Sequence, residues 1–150
     1  FLDAIAMSLG GYAAEELVFG DVTTGPSNDL KVATNLARAM VTRWGMGDAI
    51  GAMALEGDGG RAMFGTGIED DELCKGASAR IGSEVKKIMD EARARAIEVL
   101  TTHRKTLDAI ADKLIEVETL EQPEYEEILK AHGIALKKLE EGEKPVDIAG

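Results

Sequence analysis

Ile81-Gly82-Ser83-Glu84-Val85-Lys86-Lys87-Ile88-Met89-Asp90-Glu91-Ala92-Arg93-Ala94-Arg95-Ala96-Ile97-Glu98-Val99-Leu100 decides the fold class. Ile81, Val85, Ile88, Ala92, Ala96 and Val99 recur at steps of three and four, the spacing that lays side chains along one face of an α-helix. With Leu73 and Ala77 upstream and Leu100 downstream, the pattern predicts a helix over 71–101, about eight turns. Gly76 and Gly82 weaken its first half, which leaves open a kink or a start near Ser78. Composition agrees with a helical chain: six aromatics in all, and prolines only at 26, 123 and 145.

Moving outward, Leu107, Ile110, Ala111, Leu114 and Ile115 predict a helix over 104–117 with those residues inward. Thr119 and Gln122 have capping-box spacing for a short helix that buries Tyr125, Ile128 and Leu129 and closes at Gly133. On the other side, 46–69 holds seven glycines and no sustained helical period, so it reads as a loop or a small hairpin. A helix from Ser27 or Asn28 to Trp44 precedes it, with Val32, Ala33, Leu36, Ala37, Met40, Val41 and Trp44 inward and Lys31, Asn35, Arg38 and Thr42 outward. Leu2, Ile5, Ala6, Leu9, Ala13, Leu17 and Val18 place another stripe on a helix over 2–18, ended by Gly20. Gly10-Gly11 inside it either lets another backbone approach closely or marks a loop dividing two shorter helices. The expected fold is therefore all-α: a bundle of about five helices with a glycine-rich loop or small hairpin between helices two and three.

At 150 residues the chain is long enough for one domain that buries roughly 70% of its unfolded surface. Beyond about 134 the sequence turns to Glu140-Glu141-Gly142-Glu143-Lys144-Pro145, which has no apolar face and reads as a disordered tail over 135–150. The net charge of −11 argues against nucleic acid as a partner. A single cysteine, Cys74, excludes an internal disulfide and a cysteine-based zinc site. No apolar run approaches the roughly 20 residues that span a bilayer. The chain opens on Phe1 inside a helical pattern with no capping residue before it, which reads as a piece of a longer polypeptide.

Sequence spacing alone yields no complete active site. A catalytic zinc takes three protein ligands and keeps one position open, yet His103 and His132 stand apart and neither has a second His four residues away. Ser27 and Cys74 have no His nearby, no Gly-x-Ser-x-Gly turn occurs, and Gly57-Asp58-Gly59-Gly60 lacks the Lys that follows in a phosphate-cradling loop. What stands out is Thr24-Gly25-Pro26-Ser27-Asn28-Asp29-Leu30, which delivers a carboxylate, Asp29, to the first turn of a helix. A carboxylate fixed there can cap the helix, bind a metal, or do both. Ser27 or Asn28 can equally serve as the N-cap. Just upstream, Glu15 and Glu16 would ordinarily be the polar side of an amphipathic helix.

These residues bear a resemblance. Gly10-Gly11-Tyr12-Ala13-Ala14-Glu15-Glu16-Leu17-Val18-Phe19-Gly20, Thr24 to Arg38 and Met40-Val41-Thr42-Arg43-Trp44-Gly45-Met46 are similar to the C-terminal part of the peptidase domain of FtsH-type ATP-dependent zinc metalloproteases. The likeness runs from residue 1 to about 134. It implies that Asp29 is the third zinc ligand, and the helix dipole at that position suits a negatively charged one. It also implies that Glu15 is an outer carboxylate orienting a ligating His. The two ligating histidines and the general-base glutamate of that family come from a His-Glu-x-x-His helix that this sequence does not contain. Tyr12 stands where the family has Arg, and Pro26 where it has Ala.

The resemblance further implies a parent with an ATP-binding AAA domain and a membrane-anchoring segment, assembled as a homo-hexamer, with the protease domain on the cytoplasmic side and protein chains as substrates. On that reading the piece is soluble, inactive alone, and meets the membrane only through a segment outside it. A rival reading from another class is a non-catalytic helical module for oligomerisation or adaptor binding that keeps the fold and has lost the metal site.

Overall fold

The computed structural model describes residues 1–48, 51 and 71–135. The elements are all helical: α1 Leu2–Ser8, α2 Gly10–Phe19, α3 Ser27–Thr42, α4 Asp71–Thr102, α5 Arg104–Val117 and α6 Gln122–Ala131. No strand occurs among the described residues. The all-α expectation is met. The expected loop or hairpin over 46–69 lies largely outside the described residues, and the expected tail lies outside them from 136 onward.

The chain divides into two compact units, Phe1–Thr102 and His103–Gly150. In the first, α4 is the spine, about 48 Å long at 1.5 Å per residue. It runs unbroken through Gly76 and Gly82. Helices α1, α2 and α3 pack against it. The core gathers Ile5, Ala6 and Leu9 of α1 and its end, Ala33, Ala37, Met40 and Val41 of α3, and Ile88 and Ala92 of α4. Ala33 and Ala37 lie one helical turn apart and are fully buried, so their small side chains bring α3 close to its neighbours. Phe1 stacks on Trp44 with ring centroids 4.7 Å apart, tying the start of α1 to the end of α3.

Several expectations are corrected here. Of the two readings of 2–18 the divided one holds, with no loop between: two shorter helices meet at Leu9, whose N–H still bonds Ile5 O at 3.0 Å and whose carbonyl accepts from Ala13 N at 2.9 Å. A Cβ built at Gly10 or Gly11 would meet nothing within 4 Å, so no neighbouring backbone packs closely against these glycines. Helix α3 has Pro26 rather than Ser27 or Asn28 as its N-cap. Thr42, expected outward, is buried, because its hydroxyl donates to Arg38 O at 2.9 Å and so carries no unpaired polar group inward. Trp44, expected inward, is 45% exposed because α3 ends at Thr42 before it. Gly45, at φ 61, turns the chain there, and Met46 N bonds Met40 O at 2.9 Å. Ala77 and Val99, at the two ends of the α4 stripe, are exposed.

In the second unit α5 packs on α6. Helix α5 has the expected bounds, but Ala111, Leu114 and Ile115 are exposed and Thr106 is buried. The capping box of α6 is Glu121 with Glu124, two residues beyond the Thr119–Gln122 pair, and it places Pro123 in the first turn where its missing N–H costs nothing. Gly133, at φ 74, closes α6 as expected. Tyr125 is exposed, and Ile128 and Leu129 are only half-buried.

Candidate metal centre

Asp29 sits in the first turn of α3 and is exposed. The loop that leads into that turn begins where Gly20, at φ 71, ends α2 and its N–H bonds Glu16 O at 3.0 Å. A turn closes the loop at its far end, with Ser27 N on Thr24 O at 3.2 Å, and the ring of Pro26 is buried beneath it. Leu30 N then bonds Pro26 O at 3.0 Å, and the helix is under way. No side-chain capping hydrogen bond is made at this helix start. The N-cap residue, Pro26, has no polar side chain, and the Asp29 carboxylate lies in the first turn, where the helix dipole favours negative charge.

Glu15, half-buried on α2, reaches the middle of the same loop. Its Oε2 accepts from Thr23 N at 2.8 Å, and the Thr23 hydroxyl lies 3.1 and 3.0 Å from its two oxygens. The Thr23 oxygen in turn accepts from Gly25 N at 3.1 Å. Glu16, the next residue, points elsewhere: it forms a forked ion pair with Arg93 of α4, through Nε at 3.0 Å and through Nη2. That pair holds the Arg93 guanidinium above its ordinary range, chiefly through the hydrogen bond to Glu16. The two adjacent glutamates therefore separate by task, one gripping the loop before Asp29 and the other pinning α2 to α4. Neither Thr23 nor Arg93 was singled out from sequence, because the partners lie 8 and 77 residues from their glutamates with no periodic signal linking them.

Among the described residues no group of three or more His, Cys, Asp or Glu side chains is arranged to hold a metal ion. A catalytic zinc accepts a carboxylate oxygen among three protein ligands. Asp29 fits as one such ligand, exposed and uncommitted, and the remaining ligands are not found beside it in the described residues. His103 and His132 are both exposed in the second unit, at the start of α5 and the end of α6, and the His132 ring bonds Ile128 O at 2.8 Å. No described helix is long and apolar enough to cross a membrane.

Comparison with known proteins adds an independent line. The model of peptidase family M41 matches residues 1–128. The chain is 43% identical over 126 residues to an ATP-dependent zinc metalloprotease FtsH of Thermobaculum terrenum, a match covering 83% of this chain and 20% of that protein. With the ATP-dependent zinc metalloprotease FtsH of Bacillus subtilis it shares 34% identity over 149 residues, 98% of this chain and 23% of the relative. The protein of the same name from Nitrosococcus oceani is 40% identical over 130 residues, 86% of this chain and 20% of its own length. The chain thus spans about a fifth of the length of these curated relatives.

Proposed function

The chain belongs to peptidase family M41, and we propose that it forms part of an ATP-dependent, membrane-associated zinc metalloendopeptidase, to which it contributes one metal ligand, Asp29. The observation that carries this reading is the position of Asp29: an exposed carboxylate in the first turn of α3, within the matched residues, that no capping hydrogen bond occupies. Zinc, when bound, supplies Lewis acidity that polarises a peptide carbonyl and activates water toward it. The chain's own residues act around it. Asp29 offers its oxygen from the positive end of the α3 dipole, where negative charge is favoured. Helix α3 packs against α1 and α4 with Ala33 and Ala37 fully buried, and that packing backs the helix start that carries Asp29. Glu15 belongs to the outer support of the site.

The remaining ligands and the general base come, on this proposal, from a His-Glu-x-x-His helix elsewhere in the full-length protein, and ATP binds in a separate domain of a homo-hexamer. Protein chains are the substrates, and the piece described here is inactive alone. Asp29→Asn in the full-length protein tests the reading. Bound zinc and casein cleavage should both fall sharply while the far-ultraviolet circular dichroism stays unchanged. Full zinc content and full cleavage would reassign Asp29 to a dipole partner of α3. A native protein that folds and assembles yet never takes up zinc would instead favour the non-catalytic module.

A further inference from the structure

We infer that Glu15 and Thr23 form a clamp that positions Asp29 for the metal, with Glu15 acting through the loop rather than on a ligating imidazole. This rests on the proposal that Asp29 is a zinc ligand. A carboxylate can only accept, so the single proton of the Thr23 hydroxyl must go to Glu15, and its lone pairs are left for Gly25 N at 3.1 Å. Thr23 N adds a second bond to the same carboxylate at 2.8 Å. Hydrogen bonds to an ionised acceptor are the stronger kind, and chained ones reinforce each other. From Glu15 the restraint therefore passes to Thr23, to Gly25, and across the Thr24–Ser27 turn into the helix start that carries Asp29.

Gly25 belongs to the same device. A Cβ there would lie 3.3 Å from Glu15 Oε1 and 3.3 Å from Thr23 Oγ1, so a side chain at this position would press on both oxygens of the clamp and push them apart slightly. Thr23 itself is exposed and contributes little to the core, which makes its hydroxyl hard to explain as a stability element. Residues that support a metal ligand in this way typically alter metal affinity by about 10–100-fold when removed.

The test compares Thr23→Val, Thr23→Ser, Glu15→Ala, the double variant Glu15→Ala with Thr23→Val, and Asp29→Asn in the full-length protein. The readouts are zinc affinity by chelator competition and the thermal midpoint. Thr23→Val should weaken zinc about tenfold or more with little change in midpoint, and Thr23→Ser should restore near-native affinity. Glu15→Ala should weaken zinc by a similar factor, and the double variant should be no weaker than Glu15→Ala alone, because both act through one link. Native affinity in Thr23→Val, with Asp29→Asn having lost zinc, overturns the clamp while leaving the ligand in place. Loss in Glu15→Ala with none in Thr23→Val also overturns it, since Glu15 would then act on another group. Native zinc binding by Asp29→Asn overturns it by removing the ligand on which it depends.

Discussion

Two side chains show how far residue identity carries on its own. The short polar stretch into a helix marks Asp29, and the structure shows that side chain exposed in the first turn of α3. Glu15 is visible in sequence only as one of two carboxylates on a helix, and its partner Thr23 is fixed by a loop path that no spacing encodes. Asp48, just after α3, is a further case. Lys87 of α4 donates to it at 2.9 Å, and this hydrogen bond, with the lysine charge, holds the Asp48 carboxyl below its ordinary range. Lys87 is raised in return, chiefly by the hydrogen bond to Asp48, with Glu84 adding to it. A carboxyl lowered in the folded state favours folding above its unfolded pKa, and that contribution is lost as pH falls through the lowered value. Both groups are solvent-exposed, so the effect on stability is small, but the titration is measurable. Lys87→Ala should move the Asp48 carboxyl titration, followed by NMR, upward toward the ordinary carboxylate range. An unmoved midpoint would contradict the pairing.

Helices are where periodicity reads best and where it stops. The bounds of α4 and α5 follow from apolar spacing alone, because a long stripe outweighs scattered glycines. The apolar stripe alone does not give the division between α1 and α2, since it continues through Leu9 and backbone bonds bridge it on both sides; the Gly10-Gly11 pair is the signal that marks it. Inward and outward faces fail at helix ends. Thr42 turns in because a hydroxyl can bond its own helix, and Trp44 turns out because the helix stops first. The α6 capping box is offset by two residues because Glu121, directly before the helix, carries the extended backbone that a cap requires. Gly82 lies inside α4 with a helical neighbour on each side and open space where a Cβ would go. Gly82→Ala should therefore stabilise the first unit by about 0.5–1 kcal/mol, seen as a higher midpoint in urea. A lower midpoint would mean that this face of α4 is covered in solution.

For the whole molecule, the family match over residues 1–128 agrees with the family that the sequence resembles. Of the candidate site, the position of Asp29 was legible, because a carboxylate in the first turn of a helix is a residue type in a recognisable place. Its support was not, because support is a matter of which loop atom meets which carboxylate. The most direct measurement is zinc X-ray absorption on the full-length protein carrying Asp29→Cys, which exchanges the proposed oxygen ligand for sulfur. A sulfur neighbour at about 2.3 Å, or loss of the metal, is the expected result. A fully loaded zinc with its nitrogen and oxygen shell unchanged would contradict the assignment of Asp29 to the metal.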